Sequence, residues 1–128
     1  MPAEPKRKEA SVNGIRMTYW DWESSGPTIL LLHNSSGFGR IWDWLARALH
    51  PDFRVVAPDL RGHGDTDKPA GGYAAEDHAA DIEDLVRQLG LDWLIVGGCS
   101  LGSRVGIIYA ANHPGQVQYL LLGGGPHY

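Results

Sequence analysis

The sequence predicts an α/β fold, a three-layer sandwich in which a mostly parallel sheet lies between two layers of helices. Three observations carry this. Four short apolar runs, at residues 28–33, 53–59, 93–97 and 117–122, lack the alternation of a half-exposed strand and read as strands covered on both faces. Segments with helical spacing separate the runs. Strands that alternate with amphipathic helices imply right-handed βαβ crossovers and hence parallel pairing.

Each element has its own warrant. Residues 1–10 read as a disordered lead-in to one domain over residues 11–128, being polar and broken by Pro2 and Pro5. Asn13-Gly14 is a strong hairpin signal, because both residues tolerate the positive φ of a type I′ turn. Ile15, Thr18, Tyr19, Trp20 and Trp22 make the next stretch the hairpin's second strand, ended by Ser24-Ser25-Gly26-Pro27. After the strand Thr28-Ile29-Leu30-Leu31-Leu32-His33, a helix is expected from Ile41 to Leu49, then the strand Phe53-Arg54-Val55-Val56-Ala57-Pro58-Asp59. Residues 75–89 place Ala79, Ile82, Leu85, Val86 and Leu89 on one helical face, and Gly90 suits a left-handed C-cap. Trp93-Leu94-Ile95-Val96-Gly97 is the third buried strand. A helix from Leu101 to His113 stops at Pro114, and Val117 to Leu122 is the fourth. The order is a hairpin followed by βαβαβαβ.

Composition narrows the function classes. The chain has 128 residues, 43% hydrophobic and 20% charged, enough to bury a core. A net charge of −4, with no basic block beyond Lys6, Arg7 and Lys8, argues against nucleic acid or an anionic membrane as partner. The single cysteine, Cys99, excludes an internal disulfide and makes a reducing compartment the default. No signal-peptide core is visible, and no apolar run approaches the ~20 residues that span a bilayer. A cytoplasmic protein is expected.

The chemistry concentrates at Val96-Gly97-Gly98-Cys99-Ser100-Leu101-Gly102-Ser103. A buried strand enters Gly98-x-Ser100-x-Gly102 and a helix leaves it, the context that gives a G-x-S-x-G match meaning. At so sharp a turn both second neighbours must be small, so that strand and helix backbones can approach. Ser100 is thus the candidate nucleophile, with the Leu101 backbone N–H aimed where an oxyanion would form. Cys99 is the rival, but centring the motif there would put Leu101 where a small residue is required. Cys99 reads as a packing residue. The bland alternative for Ser100 is a helix N-cap.

With these residues in place the chain resembles the α/β-hydrolase superfamily from residue 12 onward. Val55-Val56-Ala57-Pro58-Asp59-Leu60-Arg61-Gly62-His63-Gly64-Asp65-Thr66-Asp67-Lys68-Pro69 looks like the family's loop after its fourth strand. Leu31-Leu32-His33-Asn34-Ser35-Ser36-Gly37 is similar to its oxyanion loop after the third. The resemblance implies Ser35 N–H as second oxyanion donor beside Leu101. The chain departs from the family at Asn34, where glycine is usual; if the position needs positive φ, asparagine is the least costly substitute. His33 and His63 are expected to be structural, Asp59, Asp65 and Asp67 to cap backbone N–H groups, and no metal site is expected.

The family order is nucleophile, acid, histidine, yet after Ser100 the sequence holds no Asp or Glu and only His113 and His127. His113 lies ~18 Å of helix rise away. His127 lies past the last strand with no acid to orient it. The chain therefore reads as the N-terminal half of an α/β-hydrolase core, a fragment, inactive alone, of a serine hydrolase. The resemblance implies a small-molecule acyl substrate (a carboxylic ester, lactone or thioester), an acyl-enzyme on Ser100 and no cofactor. Serine rather than aspartate at the elbow argues against the epoxide-hydrolase and dehalogenase branches. The alternative is a non-catalytic binding module on the same fold. The uncharged strand 117–122 would then serve self-association or a complementing chain.

Overall fold

The computed structural model describes residues 3–124. Its elements are β1 (Lys6–Val12), β2 (Ile15–Trp22), β3 (Thr28–Leu32), α1 (Asp43–Leu49), β4 (Arg54–Pro58), α2 (Ala75–Leu89), β5 (Leu94–Cys99), α3 (Leu101–Asn112) and β6 (Val117–Gly123). The six strands form one sheet in the order β1-β2-β4-β3-β5-β6. The hairpin strands are antiparallel to each other and to β4, while β4, β3, β5 and β6 run parallel. This is the predicted sandwich, with its two layers of helices.

The double coverage of the central strands is visible residue by residue. Leu30 and Leu32 of β3 join Val56, Val96, Ile82, Leu85 and Val105 in the larger core under α2 and α3. Ile29 and Leu31, one position out of phase, join Trp22, Val55 and Ala57 in the smaller core against Ala46 of α1. A period of 2 with both faces apolar gives an unbroken apolar run, which is why these strands were legible.

The turn chemistry also follows the sequence. Asn13 and Gly14 sit at φ 47° and 82°, both positive as a type I′ turn requires. Gly90 closes α2 in the left-handed conformation, and the Asp77 carboxylate accepts a hydrogen bond from the Ala74 N–H at the helix start.

Two expectations are corrected. Residues 6–10, expected as disordered lead-in, belong to β1, in register from Lys6 opposite Asp21 to Val12 opposite Ile15. A charged strand needs only one partner edge, and β2 supplies carboxylates as well as backbone: Lys8 Nζ lies 2.8 Å from the buried Asp21 and 2.6 Å from Glu23. The helix expected over 41–49 is split, a 3-10 turn at Gly39–Trp42 preceding α1.

β6 occupies the sheet edge. The expectation that 117–122 is covered on both faces is corrected: as the last strand in the sheet order its side chains are largely exposed, with Tyr119 at 63% and Leu121 at 55%. Among the described residues no helix is long and apolar enough to cross a membrane.

Candidate active site

β3 and β5 are hydrogen-bonded neighbours with Leu32 opposite Gly98, so the loop after β3 and the turn after β5 emerge side by side at one sheet edge. Ser100 stands in that turn, half-buried, at φ 55° and ψ −116°. It is one of two non-glycine residues at positive φ among the described residues, the other being Asn13 of the hairpin. A serine held there is strained by about 1–3 kcal/mol, and that strain is maintained by its surroundings.

Those surroundings are the two glycines. A Cβ on Gly98 would lie 2.5 Å from the Gly102 carbonyl, and one on Gly102 would overlap the Leu32 carbonyl oxygen and come within 2.9 Å of that of His33. Strand, turn and helix therefore meet backbone to backbone. Ser103 completes the join by donating its hydroxyl to the Gly98 carbonyl oxygen at 3.0 Å. The sequence pattern names the glycines; the contact of Gly102 with the end of β3 is a tertiary fact no local signal reveals.

Leu101, the first residue of α3, is buried, and Ser35, in the loop after β3, is exposed. Cys99 is half-buried, and burial pushes its thiol pKa up against a hydrogen bond from the Asn34 N–H. That setting suits a packing thiol rather than a thiolate. The positive φ belongs to Ser100, so the turn is not centred on Cys99.

Asn34 corrects one expectation. It is not at positive φ, so conformational cost is not why asparagine is accommodated. Gly37 makes the room instead, since a Cβ there would overlap the Asn34 Oδ1 atom. That oxygen is buried without a partner among the described residues.

Two histidines stitch the loop after β3 to the loop after β4. His33 is fully buried; its Nε2 accepts from the Leu60 N–H at 2.9 Å, which leaves the proton on Nδ1, 2.6 Å from the Asn34 carbonyl oxygen. His63, with its ring 4.9 Å from that of His33, places Nδ1 2.9 Å from the Arg61 carbonyl oxygen and Nε2 2.8 Å from that of Ser35. Beneath them Asp59, buried, accepts from the N–H groups of Gly39 at 2.7 Å and Asp65 at 2.9 Å and from Trp20 Nε1 at 3.3 Å. Hydrogen bonds hold all three side chains in place; their long-range partners, Leu60, Ser35, Gly39 and Trp20, lie 20 or more residues away and could not be read from sequence.

Desolvation lowers the His33 pKa from 6.5 to about 4, and burial lowers that of His78 too. Protonated His33 would turn an N–H against the Leu60 N–H. Between those values the unfolded chain binds the proton and the folded chain does not. Stability is therefore complete above pH 6.5 and lost as pH falls toward 4, by ~3 kcal/mol for His33 at roughly 1.4 kcal/mol per pH unit. Urea unfolding from pH 7.5 to 4.5 should show that slope, and His33→Gln should flatten it. Equal slopes in the two proteins would remove His33 as the source.

His113 caps the far end of α3, its ring stacked on Tyr109 at 4.3 Å and its Nε2 3.7 Å from Glu83. It belongs to the opposite end of the helix from Ser100. His127 lies outside the described residues. Among the described residues no group of three or more metal-ligating side chains is assembled.

Comparison with known proteins agrees with this geometry. A sequence profile described as the alpha/beta hydrolase fold matches residues 27–127. The soluble epoxide hydrolase of Corynebacterium sp. (strain C12) is 35% identical over 122 residues, 95% of this chain and 42% of the relative. The 2-(acetamidomethylene)succinate hydrolase of Mesorhizobium japonicum is 38% identical over 96 residues, 75% of this chain and 34% of the relative. A crystal structure of a membrane phospholipase A, a bacterial virulence factor, superposes with a TM-score of 0.89 at 32% identity, over 94% of this chain and 39% of that one. The chain thus spans between 34% and 42% of the length of these hydrolases. Sheet order, strained serine turn and sequence profile lead to one assignment: the chain belongs to the α/β-hydrolase fold family.

Proposed function

We propose that this chain carries the nucleophile and oxyanion hole of a serine hydrolase acting on a carboxylic ester, lactone or thioester, without a cofactor. The Ser100 hydroxyl attacks the acyl carbon, and the carbonyl π electrons move onto oxygen. The N–H groups of Leu101 and Ser35 bind the resulting oxyanion. Collapse expels the leaving group and leaves an acyl-enzyme on Ser100, which water then hydrolyses. The base that takes the serine proton, and the acid that orients it, come from outside these 128 residues, since no Asp or Glu follows Ser100. The observation that supports this reading is the half-buried serine at φ 55° between two glycines that admit no side chain. Epoxide-hydrolase relatives share the fold, but serine at the elbow favours acyl transfer.

A fluorophosphonate probe tests it. The longer polypeptide that supplies acid and histidine should be labelled at Ser100, while residues 1–128 alone should react at least about 100-fold more slowly, having lost base catalysis. Labelling of the longer protein at any residue other than Ser100 sinks the proposal.

A second reading, a binding module on the same fold, draws on the exposed strand β6. It has no charged side chain, and Leu121 and Leu122 border an apolar recess of ≈ 230 Å³ with Leu31, Trp42 and Leu45. An uncharged edge is a template for another strand. Self-association through it predicts a concentration-dependent dimer of the 128-residue chain on size exclusion, returned to monomer by Leu121→Lys. A monomer at every concentration counts against this reading.

A further inference from the structure

Ser35 is exposed in its loop, yet the carbonyl groups of Asn34 and Ser35 are both held. The Asn34 carbonyl oxygen accepts from His33 Nδ1 at 2.6 Å and from the Gly37 N–H at 3.0 Å. That carbonyl shares a peptide plane with the Ser35 N–H, and in a trans peptide the two point in opposite directions. Holding one end therefore aims the other, and the two donors polarise the amide toward stronger donation. These contacts come from beneath and from within the loop.

The next carbonyl, that of Ser35, is held from a different element. His63 reaches it across the gap between the β3 and β4 loops, Nε2 to oxygen 2.8 Å. The neighbouring ring of His33, 4.9 Å away, packs beside His63, whose proton on Nε2 serves the Ser35 carbonyl. Gly62 and Gly64 on either side have φ of 81° and 52°, so the backbone around His63 follows a path closed to most side chains. The peptide planes before and after Ser35 thus both have an imidazole at their carbonyl.

We propose that His63 is a positioning residue for the oxyanion hole: its Nε2–H, clamped on the Ser35 carbonyl, stops rotation about Ser35 and keeps the Ser35 N–H aimed at the elbow. This rests on the serine-hydrolase reading above. His63 touches neither substrate nor nucleophile and does no proton transfer in this role. Misaiming one donor leaves ground-state binding nearly unchanged and weakens binding of the charge that develops in the transition state.

Two amide substitutions separate the two ring nitrogens. A glutamine amide reaches about as far as Nε2, and an asparagine amide about as far as Nδ1. Ester hydrolysis is to be measured on the longer polypeptide, with p-nitrophenyl acetate as substrate. His63→Asn should lower kcat about 10- to 100-fold with KM within about threefold, below the loss expected for deleting a donor outright. His63→Gln should restore kcat to within about threefold of the parent. Equal kcat in His63→Asn and the parent overturns the proposal, as does an equal fall in both variants, which signals a merely structural role. The Ser35 amide resonance supplies a readout independent of turnover. It should shift and exchange faster with solvent in His63→Asn but not in His63→Gln. If the parent is not labelled at Ser100, the serine-hydrolase reading fails, and that resonance alone decides the clamp: an unchanged Ser35 amide in His63→Asn refutes it.

Discussion

Gly102→Ala is expected to destabilise the chain by about 3 kcal/mol or more, enough to remove a large share of a small domain's stability. The new methyl group would overlap the Leu32 carbonyl oxygen and lie 2.6 Å from its carbon, so the obstruction is backbone on the neighbouring strand. Backbone in the middle of a parallel sheet cannot swing aside as a side-chain tip can. Opposing this, alanine is the better helix former by about 1 kcal/mol. Steric overlap wins because relief would require α3 to move off β3 and break the turn at Ser100. Gly106→Ala, four residues on in the same helix, is the control. Its Cβ would meet the Leu120 and Val96 side chains at 3.3 Å, neighbours able to yield. That variant should stay within ~1 kcal/mol of the parent. Urea unfolding midpoints for the pair provide the measurement. Similar losses in both would mean that close approach of the turn to β3 is not what holds the elbow.

Ser100→Gly should stabilise the fold by about 1 kcal/mol while abolishing covalent labelling, two effects of opposite value at one position. The gain is relief of positive-φ strain, offset in part by the greater freedom glycine has in the unfolded chain. The loss is the hydroxyl itself. Ser100→Ala separates the two: it keeps the Cβ and the strain, removes the nucleophile, and should leave stability within ~0.5 kcal/mol of the parent. A Ser100→Gly chain less stable than the parent would show that the backbone at φ 55° is not under load. Such a trade between stability and reactivity is what a site that stores strain for function predicts.

Legibility differed by kind of interaction. The three central strands, the helix over residues 75–89, the Asn13-Gly14 turn and the serine elbow match the sequence reading, because each is dictated within a window of a few residues, whereas 117–122, apolar enough to read as buried, is an exposed strand. β1 was missed because a charged strand has no apolar signature; it exists through β2, whose Asp21 and whose neighbour Glu23 meet Lys8. The reason Asn34 is tolerated was also misread, since the room it uses is provided by Gly37, three residues on. The role of His63 was invisible, because its partner Ser35 lies 28 positions earlier and is met through a backbone oxygen that every residue possesses.

By itself, the sequence determined the mostly parallel sheet and the serine turn, since hydrophobic period and local sterics decide them, and its three motifs carried the family resemblance. Tertiary structure alone decided what bears on that turn: the β3 carbonyl that forbids a side chain on Gly102, and the paired imidazoles that hold the facing loop. The physical reason is that a strained turn is chosen locally but maintained from a distance. Its support comes from residues far along the chain, and the pairing of Gly102 with the end of β3, or of His63 with Ser35, has no local pattern to announce it.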